Sequence, residues 1–249
     1  MTPVEIWIGG YYHMSGGIRA LHVLRDELRA RGIPADMSYE RRHAVSDVIG
    51  IYPEIVPNNP EGYSRIIRWK LNKADLPDDG PTYAWETGMG EHPLLTVNIV
   101  EDFFHPRPNT KTKTVAYWEG KGSVDPAVLP DGAIAITRSV YPDRAELARF
   151  LASVDLLISF DPFTAVNLEA VVSGTPVLIH ANGPWDRATI SQHGWLPYGV
   201  AWQANELERA RDTVSKARGH YEALKHIFQA RIDTFVEDCL AAPAGRFAA

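Results

Sequence analysis

The stretch from Asp155 to His180 leaves little freedom in how it folds. Asp155-Leu156-Leu157-Ile158-Ser159-Phe160 is an apolar run of strand length, and Asp161-Pro162 breaks it. Thr164 to Ser173 then reads as a helix of small and apolar residues, with a hydroxyl at the N-cap position and Gly174 as its stop. Pro176 to His180 is a second apolar run. Strand, short loop, helix and strand in that order make a parallel βαβ unit, because an antiparallel return would need no helix between the strands.

The same rhythm recurs along the chain. Val4 to Ile8 is β-type, and a glycine-rich loop follows from Gly9 to Gly17. Ile18, Leu21, Leu24 and Leu28 fall on one face of a helix running to Arg31, with Gly32 placed to end it. Ala35 to Tyr39 and Asp47 to Tyr52 read as further strands. The apolar spacing of Tyr63 to Asn72 predicts a helix, and Leu94 to Val100 predicts a strand. Pro106 to Lys111 has the composition of a linker. Beyond it Thr112–Trp118 and Ala133–Thr137 read as strands, Asp143–Ala152 as an amphipathic helix, and Asn205–Leu240 as helical with a break near Gly219. No internal repeat is visible in the letters. The expected fold is therefore α/β, with two Rossmann-like lobes over residues 1–106 and 107–249, parallel sheets, a C-terminal helical segment, and a ligand cleft between the lobes.

The single cysteine, Cys239, excludes an intramolecular disulfide and fits a cytoplasmic protein. No apolar run approaches the ~20 residues a membrane helix needs. A net charge of −6 argues against tight non-specific nucleic-acid binding. The nine histidines show no metal-ligand spacing, and no Asp-x-Asp, Gly-x-Ser-x-Gly, Walker or Gly-x-Gly-x-x-Gly pattern occurs, so no metal or cofactor is expected.

The turn before the Thr164 helix is the leading site. Unpaired amides and the helix dipole make it ready for an anion, with Phe163, Thr164 and Ala165 supplying the turn. Asp161 precedes it and can accept hydrogen bonds from sugar hydroxyls. Glu169, about one and a half turns further in, can accept two from a ribose diol. Lys121, beside Gly120 and Gly122 at a strand exit, and Arg138, after the next strand, are candidate cations for a diphosphate. Gly16 and Gly17 close a first loop able to approach phosphates. Glu101, Asp102 and His105, and His13 in the first loop, are candidate general bases.

Asp161 and Glu169 have seven residues between them, and Ala170-Val171-Val172-Ser173-Gly174-Thr175-Pro176-Val177 follows. This segment resembles the nucleotide-sugar-binding half of GT-B glycosyltransferases, especially retaining families with two acids at that spacing. The first acid there is usually Glu, where this chain has Asp161. Tyr52 to Pro60, Arg68-Trp69, Leu71-Asn72, Lys121-Gly122 and Asp161-Pro162-Phe163-Thr164-Ala165 are similar to a small bacterial and viral glycosyltransferase-like group. The resemblance implies transfer of a sugar from a UDP- or GDP-linked donor, without metal. It puts the donor on the second half, with Asp161 on the sugar and Glu169 on the ribose, and the acceptor on the first half. It also leaves open a nucleotide-sugar epimerase or hydrolase of the same fold, or a non-catalytic binding module. The acceptor class stays open among glycan, lipid, protein and, as in compact viral enzymes, a hydroxymethylated DNA base. A DNA acceptor would need a basic rim, for which Arg41, Arg42, Arg65, Arg68 and Lys70 are the candidates. Lobes this short for the class are either stripped down or completed by a second copy in a homodimer.

Overall fold

Five short strands whose central members are buried on both faces need cover on both, which is the condition for an all-parallel sheet. A computed structural model, which describes residues 2–9, 15–107, 110–137, 141, 143–180, 185–191 and 196–240, contains two such sheets. The chain divides into two units, Met1–Ile99 with Lys225–Ala249, and Val100–Leu224.

The first unit holds β1 (Val4–Ile6), α1 (Gly16–Ala30), β2 (Ala35–Met37), β3 (Ile49–Pro53), β4 (Arg65–Lys70) and β5 (Thr82–Ala84). Its sheet order is β2-β1-β3-β4-β5, all parallel. The helix α1 forms as its letters demand. Ser15 accepts from the Ile18 amide, and Leu21, Leu24 and Leu28 are buried along one stripe. Gly32, at φ +75°, then lets the chain turn back, with the Ile33 amide on the Leu28 carbonyl.

The second unit holds β6 (Val115–Trp118), β7 (Ile134–Ile136), α2 (Arg144–Ser153), β8 (Leu156–Ser159), α3 (Ala165–Val172), β9 (Val177–Ile179), α4 (Arg187–Ser191), β10 (Val200–Ala201) and α5 (Leu207–Thr213). A sixth helix, α6 (Ala217–Phe235), begins in this unit. The sheet order is β10-β9-β8-β6-β7, again all parallel. Counted in chain order within each unit, both sheets read 2-1-3-4-5. One doubly wound topology is thus built twice from sequences with no visible repeat. The expected parallel α/β architecture with a C-terminal helical segment is what forms. Among the described residues no helix is long and apolar enough to cross a membrane.

Three local expectations fail. The helix predicted over Tyr63–Asn72 is the strand β4. Arg68 misled the pattern, because it is not a solvent-facing charge. It has no exposed surface, lies over the Tyr52 ring, and donates to Asp79 and to the Val56 and Asn58 carbonyls. Leu94–Val100 is buried but forms no strand. It meets the sheet at one bridge, Ala84 to Leu94, and β5 ends at Ala84, so the ladder has nothing further to pair with. The break in the C-terminal helices falls at Val214–Lys216, a single 3₁₀ turn, and Gly219 lies inside α6. Packing sets that break: the Gly199 amide donates to Thr213, and Val214 lies close against Gly199.

Candidate functional site

In the second unit the chain leaves β6 for β7 on one side, while β8 leads to β9 on the other. The strands β6 and β8 are paired from Val115 with Leu156 to Trp118 with Ser159. The connections leaving their carboxyl ends therefore diverge, and the crevice at such a topological switch point is where open α/β sheets bind ligands. Two loops border it, Glu119–Gly122 after β6 and Phe160–Thr164 after β8. Lys121, Asp161, Phe163, Thr164 and Ala165, singled out from the sequence, all belong to these loops or to the helix start that follows.

Asp161 ties the two loops together. Its carboxylate accepts from the Lys121 amide at 3.1 Å and from the Phe163 amide at 3.2 Å. Its carbonyl accepts from Ser159 Oγ at 3.0 Å and Asn167 Nδ2 at 2.9 Å, and the Phe160 amide reaches the Trp118 carbonyl at 2.8 Å. The residue is only 6% exposed. Gly120 sits against it at φ +61°, where a Cβ would overlap the Asp161 side chain and lie 2.6 Å from Trp118 Nε1. That indole N–H is buried and meets no acceptor among the described residues.

The N-terminus of α3 opens at the same edge. Thr164 occupies the N-cap position as expected, but its hydroxyl makes no capping bond, and no acid lies in the first turn. Among the described residues, no acceptor meets the amides of Ala165 and Val166. The helix is buried along its whole length, so little water is available to satisfy them. The exposed Lys121 side chain stands on the facing loop. Uncapped amides and a helix dipole give this edge a positive potential, on the side where the loop bearing Lys121 lies.

Glu169 is placed differently from a ribose ligand in open water. It has no exposed surface, and Arg144, at the start of α2, binds both its oxygens, at 2.7 and 3.3 Å. The same guanidinium holds Glu101 in a fork at 2.7 and 3.0 Å and lies over Phe104. Burial disfavours the charged guanidinium, but Glu169 and Glu101 more than offset this and hold its pKa above the ordinary value. Neither the sequence spacing nor the residue types singled out Arg144. Only the packing of α2 on α3 brings it to Glu169.

The other candidates are scattered. Glu101 is engaged by Arg144. Asp102 is largely exposed, 3.8 Å from Arg218, and His105 is exposed with its Nδ1 near the Pro106 carbonyl. Gly16 and Gly17 open α1 in the first unit. His13 and Arg138 lie outside the described residues. The basic rim is corrected at two positions. Arg68 is interior, and Arg41, though exposed, is held by the buried Glu5 carboxylate and by Glu61. Among the described residues no cluster of His, Cys, Asp and Glu is placed to hold a metal ion.

No family model matches the chain, and no curated protein matches it in sequence. Solved structures align with it over most of its length. One is an alpha-glucosyltransferase (AGT) in complex with UDP, with TM-score 0.49, 9% identity, and coverage of 96% of this chain and 98% of that one. A second is an alpha-glucosyltransferase with UDP and a 13-mer DNA containing an HMU base, with TM-score 0.49, 9% identity, and coverage of 92% and 94%. A third carries UDP and a 13-mer DNA with a central A:G mismatch, with TM-score 0.49, 10% identity, and coverage of 96% and 98%.

Proposed function

We propose that the second unit binds a nucleotide-sugar at the β6/β8 switch point and that the chain transfers the sugar to an acceptor hydroxyl. One observation carries this reading: Asp161 clamps two diverging loops so that the open amides of α3 and the loop bearing Lys121 border one crevice. A nucleoside diphosphate has the charge such a crevice takes. In the reaction the bond from the anomeric carbon to the phosphate oxygen breaks, the acceptor oxygen bonds to that carbon, and the acceptor proton passes to the departing diphosphate or to solvent. Negative charge grows on the diphosphate as its bond breaks, so fixed amides and a lysine act most strongly on the transition state. Asp161 contributes by holding the amides in place, and Arg144 holds the buried Glu169 of the same helix by both carboxylate oxygens.

Calorimetric titration with UDP, GDP, ADP and CDP tests the reading. At least one is expected to bind, and Lys121→Ala should weaken that one by about 1.5–3 kcal/mol, the worth of a charge-assisted hydrogen bond. Lys121 is exposed, so the variant folds as the parent does. Absence of binding by all four nucleotides, or equal binding by Lys121→Ala, would remove the diphosphate from this crevice.

A further inference from the structure

We propose that Phe163 and Trp185 form the subsite for the donor's pyranose ring, with Phe163 as the platform and Trp185 as the residue that positions it. The inference rests on the nucleotide-sugar reading and adds what lies beyond the diphosphate. The two rings are stacked, with centroids 4.0 Å apart and planes 15° from parallel. Trp185 is 4% exposed, whereas Phe163 keeps part of its surface open to solvent. The Phe163 amide is pinned on the Asp161 carboxylate at 3.2 Å, so both the backbone and the ring of this residue are fixed from within the site.

Its place in the chain gives the platform its ligand. Phe163 stands two residues before Ala165, the first residue of α3. A diphosphate on those amides ends at its β-phosphate, and the next group along the donor is the sugar. Pyranoses present a face of polarised C–H bonds, and an aromatic ring presents negative charge on its face, so the two attract when the ring cannot turn away. Trp185 covers one face of Phe163 and removes that rotation, which is preorganisation rather than contact with the sugar.

Matched pairs of probes test this: UDP with UDP-glucose, and GDP with GDP-mannose, titrated into the full chain. The wild-type protein should bind one sugar conjugate more tightly than its bare diphosphate. Phe163→Leu should weaken the conjugate at least five-fold and leave the diphosphate within two-fold. Trp185→Leu should act in the same direction, and Trp185→Phe should restore the wild-type ratio. If Trp185→Leu does not fold, Phe163→Leu and Trp185→Phe still decide the matter through the same ratio. Equal weakening of conjugate and diphosphate, an unchanged ratio in Phe163→Leu, or no gain from the sugar in the wild type overturns the proposal. Failure of the wild type to bind any of UDP, GDP, ADP and CDP overturns the nucleotide-sugar reading instead.

Discussion

Replacing Arg144 with Met should cost about 3–5 kcal/mol of unfolding free energy, the range for removing one partner of a buried ion pair. The loss comes from the group left behind. Glu169 has no exposed surface, and Arg144 binds both its oxygens. Without the guanidinium its carboxylate loses the fork on both oxygens at a position with no exposed surface. Glu101, 34% exposed, can turn to solvent and adds little to the cost. The double variant Arg144→Met with Glu169→Met removes both charges and should recover most of the loss, because apolar residues of similar volume replace a buried pair at small cost. The exposed pair Arg211 with Asp155 is the internal control, and Arg211→Ala should change stability by less than about 1 kcal/mol. Urea unfolding of the four proteins measures all of this. A single Arg144 variant as stable as the double variant would show that Glu169 reaches water or another cation once the arginine is gone.

The strands around the candidate site were legible because their letters obey simple rules. The βαβ segment from Asp155 to His180 has a continuous apolar run, a breaker, a helix and a glycine stop, and β8, α3 and β9 form there as read. Asp143 likewise caps α2 through its side chain, as its place ahead of the helix suggests. What escaped were interactions between residues distant in sequence. Arg68 is polar in composition and interior in fact, so it turned a strand into an apparent amphipathic helix. Arg144 is one arginine at a helix start until α2 packs on α3 and puts it against Glu169. Trp185 is one tryptophan after a Gly-Pro pair in the sequence until its ring lands on Phe163. The matching of the two sheet orders was hidden for a different reason. Topology depends on the order and direction of the strands, and these survive complete replacement of the side chains.

Gly120→Ala should cost about 2–4 kcal/mol and abolish nucleotide binding. Two terms add. At φ +61° an alanine is strained by about 1 kcal/mol relative to glycine. Its Cβ would also overlap the Asp161 side chain and press on Trp118 Nε1, and forcing a group into packed surroundings costs about 1–3 kcal/mol. Gly132 separates the terms, because it has a similar φ of +76° with no atom near its Cβ position, so Gly132→Ala should show the backbone term alone. The functional loss follows from which bonds must give way. Asp161 can retreat from an added methyl only by loosening its hold on the Lys121 or Phe163 amide, and those bonds align the two loops. A displacement of about 1 Å is enough to spoil a preorganised site. Thermal unfolding and diphosphate titration of Gly120→Ala beside Gly132→Ala make the comparison. Normal nucleotide affinity in a folded Gly120→Ala protein would mean that the crevice tolerates movement of Asp161, and that the alignment of the two loops is not what binds the ligand.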